Sequence, residues 1–340
     1  MRNRTLYGMV AAIGFFLIGA AGRVQLPDPG NSVQALALGP GGILYVGTFG
    51  KGMYRSPDSG AHWEPISSGL ADPFVFTLLV GSGQEVFAGT ARKGIFRTTD
   101  GGRNWTAANS GLTNTEVTAL LARNQALYAG TGDGVFRSTD SARTWKAYNT
   151  GIERVLVRSL IMDGRGFLLA GTAGKGLYRR GPNHPAWGQM TRGFQGESGI
   201  LENFIRTLTL DPDGTMYAGT FDGGVYISRD GGHQWTGWSE GMTNHSIRAL
   251  VVGRDKTLYV GTGQGIFARA PSDTRWSSIS QDLEDGNIQS MVVDESGKIF
   301  AGTAAGLYKG TLRGGWVSIT PGLFQPKKGV SLDLNPNFLE

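Results

Sequence analysis

Residues 33–66 read VQALALGPGGILYVGTFGKGMYRSPDSGAHWEPI. Four short alternating segments stand in this stretch: VQALAL from Val33, ILYVGT from Ile43, GMYRS from Gly52 and HWEPI from His62. Glycine, proline, aspartate and serine part them, and period-two alternation bounded by such turn formers predicts antiparallel strands. The Gly-Thr pair at its centre returns six times. It stands in YVGT at Tyr45, FAGT at Phe87, YAGT at Tyr128, LAGT at Leu169, YAGT at Tyr217, YVGT at Tyr259 and FAGT at Phe300. A tryptophan follows each at similar range (Trp63, Trp105, Trp145, Trp187, Trp235, Trp276 and Trp316), with spacings of 42, 40, 42, 48, 41 and 40 residues. A four-stranded unit of this length cannot bury both its faces alone, and a run of such units stacks into a propeller. The fold expected is all-β, one seven-bladed β-propeller of four-stranded antiparallel blades over residues 33–324.

Composition agrees and narrows the chemistry. The 340 residues include 55 glycines, more than twice the usual share of about 7%. That content suits many tight turns and excludes a helical bundle, while 40% apolar residues exclude a disordered chain. With no cysteine, disulfides, thiol nucleophiles and cysteine-ligated zinc are excluded. The four histidines (His62, His184, His233 and His245) are scattered, and no metal or other cofactor is expected. Arg2 and Arg4 precede a 17-residue apolar run, Leu6 to Gly22. Such a start reads as a signal peptide, or as a single-span anchor helix of about 25 Å against a hydrocarbon core of roughly 30 Å. Residues 1–22 are therefore expected to be a signal peptide or membrane anchor, 23–32 a linker and 325–340 a C-terminal tail. Everything beyond Arg23 is expected in the periplasm or otherwise outside the cytoplasm, anchored in the cytoplasmic membrane if residues 6–22 stay uncleaved.

The turn before the tryptophan carries a second pattern, Ser/Thr-x-Asp-x-Gly-x-x-Trp. It reads SPDSGAHW from Ser56, TTDGGRNW from Thr98, STDSARTW from Ser138 (Ala142 in place of Gly) and SRDGGHQW from Ser228. The other three units have Pro182, Pro271 and Thr311 at the aspartate position. These residues resemble the Asp-box, or bacterial neuraminidase repeat, of sialidases, xyloglucanases, sortilin-type receptors and photosystem II stability/assembly factor propellers. The resemblance implies that Asp58, Asp100, Asp140 and Asp230, with Trp63, Trp105, Trp145 and Trp235, fix turns on the face away from the ligand mouth. The Asp carboxylate is suited to accept backbone N–H bonds there.

No catalytic set stands out. Glu153, Glu197, Glu202, Asp222 and Glu240 fall in plausible loops, but nothing pairs them as glycoside hydrolysis requires. No Ser-His-Asp set, phosphate loop or dinucleotide fingerprint is visible, so catalytic residues are expected to be none. One register is more informative. Two residues before the recurring Leu or Met of each first strand stand Gln34, Phe76, Thr118, Arg158, Arg206, Arg248 and Gln289. First strands line a propeller's channel, so these residues are expected to form one ring. Arg158, Arg206 and Arg248 would then make a cationic arc suited to carboxylates or phosphates. Lys51, Arg92, Lys93 and Lys175, in loops between second and third strands, are expected on the same face as partner-binding residues. The insertion Phe194–Asn203 enters unit five on that face, with Ile200, Leu201 and Phe204 expected as a partner contact, or Phe204 as the start of the next strand. Val330–Leu334 alternates like an added edge strand.

The net charge of +5 adds weak support for an acidic partner, and no basic-aromatic strip suggests nucleic acid. The expectation is a non-enzymatic extracytoplasmic interaction or scaffold propeller, an accessory or assembly subunit of a membrane protein complex. The resemblance to the photosystem group makes a photosynthetic reaction-centre type of partner the first choice. The alternative is a carbohydrate-active or ligand-sensing propeller of the sialidase/xyloglucanase-like group.

Overall fold

The computed structural model describes residues 29–190 and 203–324. The N-terminal apolar run, residues 194–202 of the insertion, and the tail with its alternating Val330–Leu334 lie outside the described residues. No helix among the described residues is long and apolar enough to cross a membrane.

Seven four-stranded antiparallel sheets stand in chain order, each built from four consecutive strands. The first comprises Val33–Leu38, Leu44–Thr48, Met53–Ser56 and Glu64–Pro65. The innermost strands of the others are Val75–Val80, Val117–Arg123, Val157–Met162, Ile205–Leu210, Ile247–Val252 and Ile288–Val293. The ring is thus seven-bladed, with each blade complete in itself among the described residues. Outermost strands are shorter than the HWEPI-type segments suggest. They hold two or three residues in six blades, because the turn before each tryptophan takes up the rest.

The core lies between blades rather than within them. Seven apolar clusters each join one blade to the next: Tyr45 and Met53 with Val75 and Phe96 at one seam, and Val33 and Leu44 with Phe300 and Ile319 at the closing one. The Gly-Thr pair explains how closely the blades approach. A Cβ on Gly47 would lie 2.6 Å from Val75 of the next blade, one on Gly219 2.4 Å from Ile247, and one on Gly302 2.6 Å from Val33. The same holds at Gly89, Gly130, Gly171 and Gly261, each facing a β-branched residue. Only glycine lets a valine or isoleucine seat there. The threonine that follows is fully buried and donates its hydroxyl across the next loop, Thr48 Oγ1 to Gly52 O at 2.9 Å and Thr220 Oγ1 to Gly224 O at 2.9 Å. All seven copies make this bond.

Candidate functional site: the channel mouth

In every innermost strand the pairing register skips one residue near the start. Val33 pairs with Thr48 and Ala35 with Gly47, leaving Gln34 out. The skipped residues in the other blades are Phe76, Thr118, Arg158, Arg206, Arg248 and Gln289. Each is the extra residue of a β-bulge, which re-aims one side chain while its neighbours keep their places. The residue before it stays buried in the seam, and the bulged residue faces the channel. The seven bulges line one cavity of about 310 Å³ at the channel mouth. The sequence register places the ring; the bulge that turns it inward has no signature in the alternation.

Arg158, Arg206 and Arg248 stand on three consecutive blades of this ring, whose seven side chains include no carboxylate. Protein walls reduce the hydration of all three guanidiniums and lower their affinity for the proton. For Arg158 the nearby Glu116 partly offsets this, and for Arg248 Asp285 does. Arg206 has no such offset. Burial first, and then repulsion from Arg248 and Arg158, bring it down to about 10. It remains a cation at neutral pH, and an incoming anion relieves that repulsion. Arg248 donates from Nη1 to Asn287 Oδ1, while its buried Nε has no hydrogen-bond partner. Gln289 Nε2 donates to the same oxygen at 3.1 Å, and Gln34 Nε2 to Ser32 Oγ at 2.7 Å.

The loop cations divide into two kinds. Arg92 is tied down: its backbone N–H and Nη2 donate to the fully buried carboxylate of Asp72 at 2.8 and 3.2 Å, and its guanidinium lies 4.3 Å from the centre of the Phe74 ring. Lys51 donates from Nζ to Asn31 Oδ1 at 2.5 Å and lies over the Phe324 ring. These two fasten the entry to their blades. Lys93 and Lys175 are exposed at their loop tips. Two further aromatic residues stand at the mouth, at positions that the sequence register does not single out. Phe49 stacks on the ring member Phe76 with centroids 6.3 Å apart, and Phe221 lies 4.4 Å from the guanidinium carbon of Arg206. Both follow a Gly-Thr pair directly, where the other five blades have only Ala or Gly.

The aspartates of the Ser/Thr-x-Asp turns lie at the opposite end of the blades, since Ser56 pairs with Leu44 beside the first-to-second-strand turn. Asp58 Oδ1 accepts the His62 N–H at 2.8 Å, Asp100 Oδ1 that of Asn104 at 3.0 Å, Asp140 Oδ1 that of Thr144 at 2.9 Å, and Asp230 Oδ1 that of Gln234 at 3.0 Å. The hydroxyls of Ser56, Thr98, Ser138 and Ser228 donate to the same aspartates. A cleft of about 830 Å³ lies on this far face. Of the carboxylates lining it, Asp163 and Asp211 are held by turn N–H groups, Asp213 by Lys256, and Asp230 by its own turn. Among the described residues no group of three His, Asp or Glu side chains is placed to hold a metal.

No family model matches the chain, and no curated protein matches it. Solved structures do. The extracellular domain of the putative one component system BT4673 from B. thetaiotaomicron superposes with a TM-score of 0.70 at 18% identity, over 82% of this chain and 38% of that one. YCF48 bound to D1 peptide superposes with a TM-score of 0.64 at 16% identity, over 83% of this chain and 94% of that one. The GH74 enzyme of Niastella koreensis gives 0.69 at 15% identity, over 88% and 56%. The chain thus spans well under half of the BT4673 domain and nearly all of YCF48. At these identities the likeness shows the propeller fold.

Proposed function

We propose that this propeller is a non-enzymatic interaction module outside the cytoplasm, an accessory or assembly subunit that captures an acidic polypeptide segment of a membrane protein complex at its channel mouth. One observation carries the reading: three guanidiniums on consecutive blades converge on a mouth whose ring has no carboxylate, and Arg206 among them has only like charges beside it. Guanidinium forks pair with carboxylates bidentately, and the walls that strip water from the arginines strengthen that pairing. The four aspartate-fixed turns support membership of the Asp-box propellers. The neighbour YCF48, of nearly equal length, holds a D1 peptide, which supports a polypeptide as the ligand and a reaction-centre type of partner as the first candidate.

The test is capture from solubilised native membranes by the tagged chain and by its R158A/R206A/R248A variant. Recovery of the partner is expected to fall by more than about tenfold, as for loss of a buried charge pair. The thermal midpoint is expected to hold or rise, because three mutually repelling cations are removed. Unchanged recovery would overturn the reading. Displacement of the partner by a neutral or uronate-bearing oligosaccharide would favour instead the ligand-sensing or carbohydrate-active class to which BT4673 and the GH74 enzymes direct attention.

A further inference from the structure

Four large apolar side chains are conspicuously exposed among the described residues: Phe49 at 38%, Phe221 at 40%, Leu312 at 39% and Val317 at 55%. Leu312 and Val317 belong to the outer hairpin of the last blade. Phe49 and Phe221 stand on the channel rim. They occupy one structural position in blades one and five, the residue after the Gly-Thr pair, where Ala91, Gly132, Ala173, Gly263 and Ala304 leave the rim low.

Each phenylalanine is held upright by its neighbours. Phe49 meets Phe74 edge-on at 4.9 Å and stacks on Phe76. Phe221 is backed by Phe204 at 6.0 Å and lies against Arg206. The contact with Arg206 matters for recognition. A guanidinium stacked on a ring keeps its N–H donors in its own plane, unspent, so Phe221 orients the central cation without consuming a donor. The charge balance within the arc is equally specific. Glu116 near Arg158 and Asp285 near Arg248 partly offset those two cations, whereas Arg206 between them has only like charges beside it.

We propose that the mouth recognises a polypeptide segment in which one carboxylate is flanked by bulky apolar side chains, the carboxylate on Arg206 and the apolar groups against Phe221 and the Phe49–Phe76 pair. This deepens the reading of the arc as an acidic-segment site and rests on it. A polyanion is disfavoured, because Glu116 near Arg158 and Asp285 near Arg248 would repel its further charges. A sugar acid satisfies the charge but leaves the Phe49–Phe76 side without an apolar partner.

The experiment titrates the full chain with three capped tripeptides: acetyl-Phe-Glu-Phe-amide, acetyl-Gly-Glu-Gly-amide and acetyl-Phe-Gln-Phe-amide. The first is expected to bind about tenfold more tightly than the second, the worth of one good aromatic contact. The F49A variant leaves the Phe221–Arg206 contact in place, so it is expected to diminish that preference while still binding the Gly-Glu-Gly peptide, and F49Y to restore it. Equal affinity of the two Glu peptides for the native chain, or a preference undiminished in F49A, overturns the aromatic proposal and leaves the arc standing. If the Gln peptide binds as tightly as its Glu counterpart, the arc reading itself falls. Failure of both Glu peptides to bind at millimolar concentration overturns the proposal as well.

Discussion

At the residue scale, the repeated words of the sequence are each a solution to a local packing or bonding demand. The glycine of Gly-Thr makes room for the next blade's β-branched side chain, and the threonine closes the loop beside the mouth. The Asp turns are of the same kind, and they titrate. Hydrogen bonds from the Thr144 hydroxyl and N–H, and from Ser138, hold the Asp140 carboxyl down at about 2, against an ordinary value of 3.8. Asp58 lies lower still, chiefly through the His62 N–H and ring, and Asp100 through Thr98 and Asn104. A carboxylate whose folded value is depressed contributes stability above its unfolded value and loses it as pH falls through the folded one. The thermal midpoint is therefore expected to be level down to about pH 4 and to fall between pH 4 and 2. D58N/D100N/D140N should start lower at pH 6 and fall less over that interval. Parallel curves for the two proteins would show that the turns store no proton-linked stability. At Asp230 the desolvation that opposes ionisation is outweighed by N–H bonds from Gln234 and His233 and by the Ser228 hydroxyl, and the net shift is downward.

At the scale of strands and seams, the indoles do more than pack over their own turns. Trp105 Nε1 donates to Ile66 O at 2.6 Å, Trp276 Nε1 to Trp238 O at 2.6 Å and Trp316 Nε1 to Ile279 O at 2.6 Å, each reaching the outer part of the preceding blade. Trp145 and Trp187 do the same. Trp235 Nε1 donates to Gly232 O at 3.1 Å within its own turn. One indole differs: the buried Nε1 of Trp63 has no partner. W276F would leave the part-buried Trp238 carbonyl without its donor, a loss of about 1 kcal/mol or more. That should lower the thermal midpoint by several degrees. W63F deletes an N–H that bonds nothing and should cost clearly less. Equal losses in paired thermal melts would show that the indoles act through volume alone. The tryptophan period was plain in the sequence, and so was the blade count. The stitch was not, because a donor's partner some 37–39 residues away leaves no local mark. The bulges were hidden for a related reason. Valine, arginine and serine at 157–159 read as ordinary alternation, and only the pairing with Thr172 and Gly171 reveals that Arg158 is the extra residue.

At the scale of the whole ring, the question is what closes it. Among the described residues no strand passes from the last blade to the first, since every sheet consists of four consecutive strands. Closure is by packing: Val33 seats against Gly302, Ser290 Oγ donates to Val33 O at 3.0 Å, and the helical turn Thr320–Leu323 sets Leu323 into the shared cluster. That helical turn brings Gly322 against Trp63, at the seam whose indole is unbonded. Among the described residues this seam is joined by no covalent link and no indole bond, while its apolar cluster resembles the other six. Opening is expected to start there. In amide hydrogen exchange, strands Leu44–Thr48 and Ile299–Thr303 should exchange faster than their counterparts Ala126–Thr131 and Leu168–Thr172. The mouth would then widen between Gln34 and Gln289, two polar members of the ring, leaving the arginine arc on the rigid side. Uniform protection of all second strands would mean instead that the ring opens as one cooperative unit, and the arc would be no better held than the rest of the mouth.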